Sequence, residues 1–157
     1  MKALQKIDGF TLPELMVVIA IIAMMTGFGW SAYSSVMKRE RVKAAAFLFA
    51  GDVKEARMMA IERHHQYTVA FGDGVYTIYR GADDGDIVRQ VTPSSEYPGV
   101  VILSPSNFPI SFNPAGLDAT NSSLRTVRFV NKEGCWCDVK ITAAGGIRVE
   151  EDTTCFY

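Results

Sequence analysis

The sequence has few of the residues on which catalytic and metal sites depend. It contains only 2 histidines, His64 and His65. Adjacent side chains on a helix point about 100° apart, so this pair does not converge on one metal ion. No serine or cysteine has a histidine and a carboxylate in a triad pattern, and no glycine-rich loop is patterned to hold phosphate. The sequence therefore predicts a protein that is not an enzyme and carries no cofactor or metal.

The chain also lacks an excess of charge of either sign. It has 16 lysines and arginines and 17 aspartates and glutamates, which give a net charge of −1. Such a balance provides no general attraction for nucleic acid. The most acidic stretch, Gly81–Asp86, lacks the ligand spacing and the terminal glutamate of a calcium loop, so we interpret it as a solvated turn.

Proline is absent between Pro13 and Pro93, and this absence allows one long helix in the first part of the chain. Helix-forming residues dominate up to about His64, with apolar residues at alternating spacings of four and three, as on one face of an amphipathic helix. This apolar stripe consists of Val42, Ala46, Phe49, Val53, Ala56 and Ala60. We therefore predict a helix from Phe10 to about His64.

The first part of this helix is an apolar run from Leu15 to Trp30, interrupted only by Thr26 and two glycines. The run extends with little polarity to about Tyr33, and we predict that residues 10–33 cross a membrane or form a filament core. Glu14 lies at the start of the run. An ionisable group in an apolar segment is energetically costly, so Glu14 is expected to have a partner.

The apolar run is preceded by a specific motif, Gly9-Phe10-Thr11-Leu12-Pro13-Glu14. In a secretory signal the small residues follow the apolar core, and cleavage removes that core. Here Gly9 precedes the core, so cleavage after it leaves the apolar segment on the mature chain. The pattern closely resembles the class-III signal of type IV pilins. The alternative is an ordinary N-terminal membrane anchor with a chance glutamate.

This resemblance implies that residues 1–9 are a leader, which a prepilin peptidase removes between Gly9 and Phe10, and that Phe10 is then N-methylated. Glu14 would face the free amine of Phe10, either its own or that of the next subunit. A carboxylate and an ammonium each cost several kcal/mol alone in hydrocarbon, and close pairing offsets much of this cost. The pair would therefore set the register of subunits during assembly.

Beyond the helix the apolar residues alternate with a period of two, which indicates strands. Two segments, Gln66–Phe71 and Val75–Arg80, flank a glycine-containing turn and predict a hairpin. Further strands are predicted at Ile87–Val91, Val100–Leu103, Ile110–Phe112, Thr126–Val130, Cys135–Thr142 and Ile147–Glu151. The predicted domains are therefore residues 34–64, an amphipathic helix that continues into a globular domain, and residues 65–157, a β-sheet domain.

Three stretches of this second part resemble the GspH/FimT family of minor pseudopilins and minor pilins. They are the helix segment Asp52–Arg63, the element Phe112-Asn-Pro-Ala-Gly116 and the hairpin Val139–Arg148. The resemblance implies an α+β, pilin-like fold, in which a long N-terminal helix, transmembrane in its first half, packs on antiparallel β-sheets. It also implies a structural subunit at or near the tip of a type IV pilus or a type II secretion pseudopilus.

The partners that follow from this resemblance are other pilin or pseudopilin subunits, the prepilin peptidase and the inner-membrane assembly platform. The chain would span the inner membrane once, with a periplasmic C-terminal domain, before it enters the filament. Some members of the family bind DNA through clustered arginines after the hairpin glycine, and this is the alternative function. Here Gly146 is followed by one arginine, Arg148, and by carboxylates at positions 150–152, a poor basis for phosphate binding.

The three cysteines, Cys135, Cys137 and Cys155, all lie in the last quarter of the chain. In an oxidising periplasm one disulfide is expected. If the hairpin turn centres on Gly145, Cys135 lies opposite Cys155, with Cβ atoms about 4.5–5.5 Å apart, which suits a disulfide. We therefore predict a Cys135–Cys155 bridge with Cys137 free. A register shift of one residue, or a bulge, would give Cys137–Cys155.

Overall fold

The structure is a computed structural model that describes residues 10–103, 108–120 and 124–151, except for the side chains of residues 27–32. The chain divides into two compact units, a first unit that ends at Met37 and a second unit that begins at Lys38.

One helix, α1 (Leu12–Arg63), has 52 residues and confirms the long helix predicted from the absence of proline. It ends where His64 adopts a positive φ of 53°. Within the second unit, all six residues of the predicted apolar stripe are buried. Several other residues of this segment, among them Lys54 and Glu55, are exposed. The amphipathic pattern therefore identified the face of α1 that meets the core.

Eight strands form two antiparallel sheets of four strands each. The strands are β1 (Tyr67–Gly72), β2 (Val75–Arg80), β3 (Asp86–Val91), β4 (Val100–Leu103), β5 (Ile110–Phe112), β6 (Leu124–Asn131), β7 (Trp136–Thr142) and β8 (Ile147–Glu151). The first sheet has the order β3-β2-β1-β5 and the second has the order β4-β6-β7-β8. Each predicted strand is present, and a short helix, α2 (Pro93–Glu96), was not predicted.

The predicted hairpin joins β1 and β2, with Gly72 paired to Val75. Its two-residue turn, Asp73-Gly74, has φ values of 47° and 77°. Two consecutive positive φ values are the geometry of a type I′ turn, which matches the twist of the flanking strands. The glycine at the second position meets the conformational requirement of this turn.

The core of the second unit lies between α1 and the two sheets. Phe49 of α1 has no exposed surface. Its ring centroid lies 5.0 Å from that of Tyr76 in the first sheet and 5.7 Å from that of Phe129 in the second. Edge and tilted ring contacts at these distances stabilise a core beyond the burial of area alone. Phe49 thus joins both sheets to the helix.

The hairpin of β7 and β8 has a different register from the predicted one. Ile141 pairs with Ile147, so the turn centres on Ala144 and not on Gly145. The Gly145 N–H donates to the Thr142 carbonyl at 2.8 Å, and Gly145 has a positive φ of 76°. This is a three-residue loop in which a left-handed glycine follows a tight turn. The prediction placed the glycine at the centre of the turn, whereas it occupies the last loop position.

Candidate functional site

The N-terminal segment that the sequence identified for processing and assembly begins α1. Gly9 lies outside the described residues. The carbonyl of Thr11 accepts hydrogen bonds from the N–H groups of Glu14 and Leu15, at 3.1 and 3.2 Å. Glu14 is exposed in the first turn of the helix, where a negative charge interacts favourably with the helix dipole. Phe10 is 82% exposed, so both residues of the predicted assembly pair are accessible.

Large apolar side chains continue this exposed surface along the first unit. They include Leu12, Leu15, Met16, Val17, Ile19, Ile21, Ile22, Met24 and Met25. An exposed apolar surface of this extent marks a contact with a membrane or with other protein chains. In the part of the chain that the structure describes, no helix combines the length and apolarity needed to cross a membrane.

The three stretches that resemble the family motifs meet at one side chain, Arg57. Its Nε donates to the carbonyl of Gly116 at 2.8 Å, and its Nη1 donates to the carbonyl of Gly145 at 3.0 Å. Its Nη2 donates to the carbonyl of Ala144 at 3.4 Å. We name these four residues the Arg57 junction. The planar guanidinium group thus satisfies carbonyls from two different turns and holds both turns against α1.

Glycine is required at both turns of the Arg57 junction. A Cβ atom at Gly145 would lie 2.6 Å from Nε of Arg57 and 2.7 Å from the carbonyl oxygen of Gly116. A Cβ atom at Gly116 would lie 2.7 Å from Cδ1 of Ile61. Both glycines also have positive φ, of 76° and 73°. The residues that resemble the family motifs therefore pack together at this junction.

A buried ion pair joins Asp118, in the segment between β5 and β6, to Arg125 of β6. Arg125 and Asp118 have side chains 2% and 1% exposed, and Nε of Arg125 donates to Oδ2 of Asp118 at 3.0 Å. Nη1 of Arg125 also donates to the carbonyl of Pro109 at 2.8 Å. Burial alone would raise the pKa of Asp118, but hydrogen bonds from Thr120 and Arg125 outweigh it and lower that pKa. The Asp118 N–H donates to the carbonyl of Ala143 at 3.1 Å.

A second buried carboxylate, Asp52, lies on the side of α1 that faces the first sheet. The hydroxyl of Tyr76 donates to Oδ2 of Asp52 at 2.6 Å, and Nη1 of Arg89 lies 2.9 Å from Oδ1. Burial raises the pKa of Asp52, although the Tyr76 hydrogen bond and the Arg89 charge act in the opposite direction. Burial and the neighbouring carboxylate also raise the pKa of Tyr76. Asp52 is not a member of the apolar stripe, and it is nevertheless buried because its partners lie on β2 and β3.

The cysteines require a correction of their geometry. Cys137 pairs in register with Glu151, so the turn centres on Ala144 and not on Gly145, as the predicted register of Cys135 assumed. Cys137 is a free, buried thiol, which contradicts the alternative Cys137–Cys155 bridge. Burial and the nearby carboxylates raise the pKa of Cys137 to about 11, so this thiol is unreactive at neutral pH. Cys155 lies outside the described residues, and the Cys135–Cys155 bridge stays a prediction.

Several of the charged side chains near the hairpin glycine form ion pairs within the chain. Lys140 lies 2.6 Å from Glu150, and Lys43 lies 2.5 Å from Glu151. Arg148 is exposed and pairs in register with Lys140. Among residues 10–103, 108–120 and 124–151, no group of three histidine, cysteine, aspartate or glutamate side chains could hold a metal ion. These contacts favour a structural role for the hairpin.

Comparison with known families places this geometry in context. The family model described as type II transport protein GspH matches residues 45–145, and the prokaryotic N-terminal methylation motif matches residues 4–30. The chain belongs to the GspH family. The first match includes the whole Arg57 junction, and the second includes Gly9, Phe10 and Glu14. No curated protein sequence matches the chain.

Two solved structures share the fold of this GspH-family protein. The type IV minor pilin FimU of Pseudomonas aeruginosa is 14% identical, with a TM-score of 0.60 over 77% of this chain and 99% of that one. The minor pseudopilin EpsH of the type 2 secretion system of Vibrio cholerae is 15% identical, with a TM-score of 0.58 over 71% of this chain and 97% of that one. The predicted pilin-like fold of a helix with antiparallel sheets is therefore confirmed.

Proposed function

We propose that the chain is a minor pilin or pseudopilin, a structural subunit at or near the tip of a type IV pilus or a type II secretion pseudopilus. The observation that carries this proposal is the exposed apolar surface of α1 from Leu12 to Met25, which begins with a single carboxylate, Glu14. Among the described residues of the first unit, none buries these side chains. Lipid would cover them before assembly, and the helices of neighbouring subunits would cover them afterwards.

Processing prepares this surface. A prepilin peptidase cleaves between Gly9 and Phe10, and Phe10 is then N-methylated. Removal of residues 1–9 places the amine of Phe10 close in sequence to Glu14. The protein spans the inner membrane once, with its second unit in the periplasm, and contacts the inner-membrane assembly platform before it enters the filament.

Glu14 acts through its charge once it lies in an apolar environment. A carboxylate among lipid chains or packed helices is destabilised by several kcal/mol unless a positive group lies close to it. The amine of Phe10, in the same subunit or in the next one, is such a group. Because the pair forms only at one axial offset between two helices, it selects the correct register of the added subunit.

A disulfide between Cys135 and Cys155 is a further part of this proposal. Its support is the oxidising periplasm and the free thiol of Cys137. The bridge would close a loop of about 20 residues and add roughly 3 kcal/mol to the free energy of unfolding. Peptide mapping of the non-reduced protein would detect it, and three free thiols would contradict it.

The test of the assembly role replaces Glu14 with glutamine in the cell that assembles the filament. The measurement is the fraction of the protein in purified filaments or pseudopili, relative to the membrane fraction. We expect this fraction to fall about tenfold or more, because the apolar contact then lacks its charge pair. The matched control is Glu62→Gln, which neutralises an exposed carboxylate at the other end of α1. It should change incorporation by less than about twofold.

Equal incorporation of the Glu14→Gln and Glu62→Gln variants would contradict the proposed register pair. The alternative function, a DNA-binding minor pilin, has no specific observation in its favour among the described residues. In the C-terminal hairpin, Lys140 lies close to Glu150, and Arg148 is the one arginine of β8.

A further inference from the structure

The four edge strands of the two sheets differ in how they are protected against pairing with other chains. The edge strand β3 carries Asp86 and Arg89, and β8 carries one arginine and two glutamates. The edge strand β5 has only 3 residues. Charges and short length are the usual means by which proteins prevent strand addition at a sheet edge. The remaining edge strand, β4, is Val-Val-Ile-Leu. It carries no charged side chain, and its 4 residues make it one residue longer than β5.

The backbone of β4 is paired on one side only. Val100–Leu103 pair with Asn131–Arg128 of β6, and in the described ranges no strand lies on the other side of β4. The N–H of Val100 donates to the carbonyl of Tyr97 at 3.1 Å. Because the N–H of Val100 is engaged in this way, another extended chain can pair only with the remaining backbone donors and acceptors on the unpaired side of β4.

The outer face of the second sheet continues this edge as an apolar surface. Val101 and Leu103 are 51% and 48% exposed. Val101 pairs with Val130, which pairs in turn with Trp136, so three apolar side chains form one row across three strands. Directly opposed residues of antiparallel strands lie on the same face of a sheet. We name Val101, Leu103, Val130 and Trp136 the β4 patch.

The charge of Arg128, which lies on the same face, is compensated by Asp138 of its own chain. Nε and Nη2 of Arg128 each lie 2.7 Å from a carboxylate oxygen of Asp138. The guanidinium carbon of Arg128 also lies 4.5 Å from the centroid of the Trp136 ring. Arginine and tryptophan are enriched at the centres of protein interfaces. A partner on this surface therefore needs apolar side chains and no balancing charge.

We propose that β4 accepts an extended, uncharged strand of another filament subunit, which pairs with its free edge and places alternate apolar side chains against the β4 patch. The identity of the partner as a filament subunit rests on the proposed function. The kind of segment rests on the edge itself, because only an extended backbone can satisfy a row of strand donors and acceptors. The partner segment is uncharged because Val100–Leu103 offers it no counter-charge.

The first test uses the full chain in detergent micelles and a fluorescein-labelled, end-capped peptide, Lys-Thr-Val-Val-Ile-Leu-Thr-Lys, as the probe. Fluorescence anisotropy should show saturable binding that empty micelles do not show. N-methylation of alternate amides in the apolar part of the probe should weaken binding about tenfold or more, because it removes the backbone donors. Equal binding of the methylated probe, or no saturable binding of either probe, would overturn the proposal.

Two matched variants locate the binding edge. Val101→Lys places a charge on β4, whereas Leu124→Lys places it on the same face of β6, at a residue that is also exposed (44%). We expect Val101→Lys to weaken probe binding about tenfold and Leu124→Lys less than about twofold. Thermal unfolding of both variants should match that of the parent chain, since both residues are exposed. Equal weakening by the two variants would contradict binding at the β4 edge.

The second test asks whether the partner is another subunit. In the assembling cell, Val101→Lys should lower incorporation into filaments while Leu124→Lys leaves it unchanged, and unchanged incorporation of both would overturn this assignment. Dimerisation of the purified parent chain that Val101→Lys abolishes would assign the edge to a second copy and also overturn it. The Glu14→Gln variant should bind the probe like the parent chain, so a failed register test leaves the probe result intact.

Discussion

The two halves of α1 differ in what covers their apolar side chains. From Leu12 to Met25 the large side chains are exposed, with Leu15 at 59% and Met25 at 72%. From Val42 to Ala60 the apolar stripe is buried, because the two sheets of the same chain pack on it. The second half therefore packs on its own sheets, whereas the proposed function assigns lipid or other subunits to the first half.

The side chains of the two halves suit these two environments. The buried half contains Ala45, Ala46, Ala50, Ala56 and Ala60, which allow strands to approach the helix closely. The exposed half is rich in leucine, isoleucine and methionine, which offer a large surface to lipid or to other helices. In α1 the face that is buried within its own chain therefore combines the apolar stripe with many small side chains.

The largest expected effect follows from this comparison. Phe49→Ala removes a ring that contacts both sheets, so the free energy of unfolding should fall by about 3–5 kcal/mol. The matched variant Met16→Ala shortens an exposed side chain of the same helix and should change it by less than about 0.5 kcal/mol. Urea unfolding of the full chain in detergent, followed by circular dichroism, measures both. Comparable losses in the two variants would break the distinction between the halves.

A smaller effect is expected at the Arg57 junction, which fixes two turns to the buried half. Arg57→Ala leaves the carbonyls of Gly116 and Gly145 without their donor, so the free energy of unfolding should fall by roughly 2 kcal/mol. Arg57→Lys should recover less than half of this loss, because an ammonium group lacks the planar fork. The same urea experiment measures both variants. Full recovery by lysine would show that charge alone, and not the fork, holds the turns.

The smallest expected effect concerns the two buried carboxylates of the second unit, whose pKa values shift in opposite directions. The lowered pKa of Asp118 stabilises the fold above the unfolded value of about 3.9, and this stability is lost as the pH falls through the folded pKa. The raised pKa of Asp52 gives stability that is present below about 3.9 and is lost as the pH rises through the folded pKa.

Variants separate these two contributions. The urea concentration at the midpoint of unfolding is measured from about pH 3 to about pH 8. As the pH is lowered towards 3, this midpoint should fall less steeply for Asp118→Asn than for the parent chain. As the pH is raised towards neutral, it should fall less steeply for Asp52→Asn than for the parent chain. Neither substitution should alter the behaviour of the exposed half of α1. Parallel curves for the parent and both variants would show that neither carboxylate is linked to folding.

The sequence was sufficient for those parts of the fold that depend on local pattern. The long helix follows from the absence of proline, and β2, β4, β5 and β8 have the predicted bounds because turn residues delimit them. The processing segment could also be identified, since residue type and order carry that signal. The methylation motif that matches residues 4–30 supports this identification.

The sequence was not sufficient for contacts between distant segments. The burial of Asp52 depends on Tyr76 and Arg89, which lie 24 and more residues further along the chain. The pairing of Arg125 with Asp118 depends on how a loop folds back on β6. The spacing of apolar residues holds no information about such partners, because a polar residue in a helix is exposed unless another element supplies its hydrogen bonds.

The hairpin of β7 and β8 shows a third limit. The sequence Ala143-Ala-Gly-Gly146 offers two glycines, and each could occupy the left-handed position of a turn. The observed loop uses Gly145 for that position. This choice depends on the carbonyl of Gly145, which Arg57 binds, and on the close approach of Gly116. A turn whose register is decided by a helix 88 residues earlier cannot be read from its own four residues.

The central claim is that the exposed half of α1 becomes the N-terminal segment of the mature subunit, and its most direct test is the intact mass of the protein from cell membranes. The claim predicts a chain that begins at Phe10 and carries one added methyl group, and it predicts that Gly9→Val leaves the leader attached. A parent chain that retains residues 1–9, or one that is cut near Trp30 so that the apolar half is lost, would contradict it.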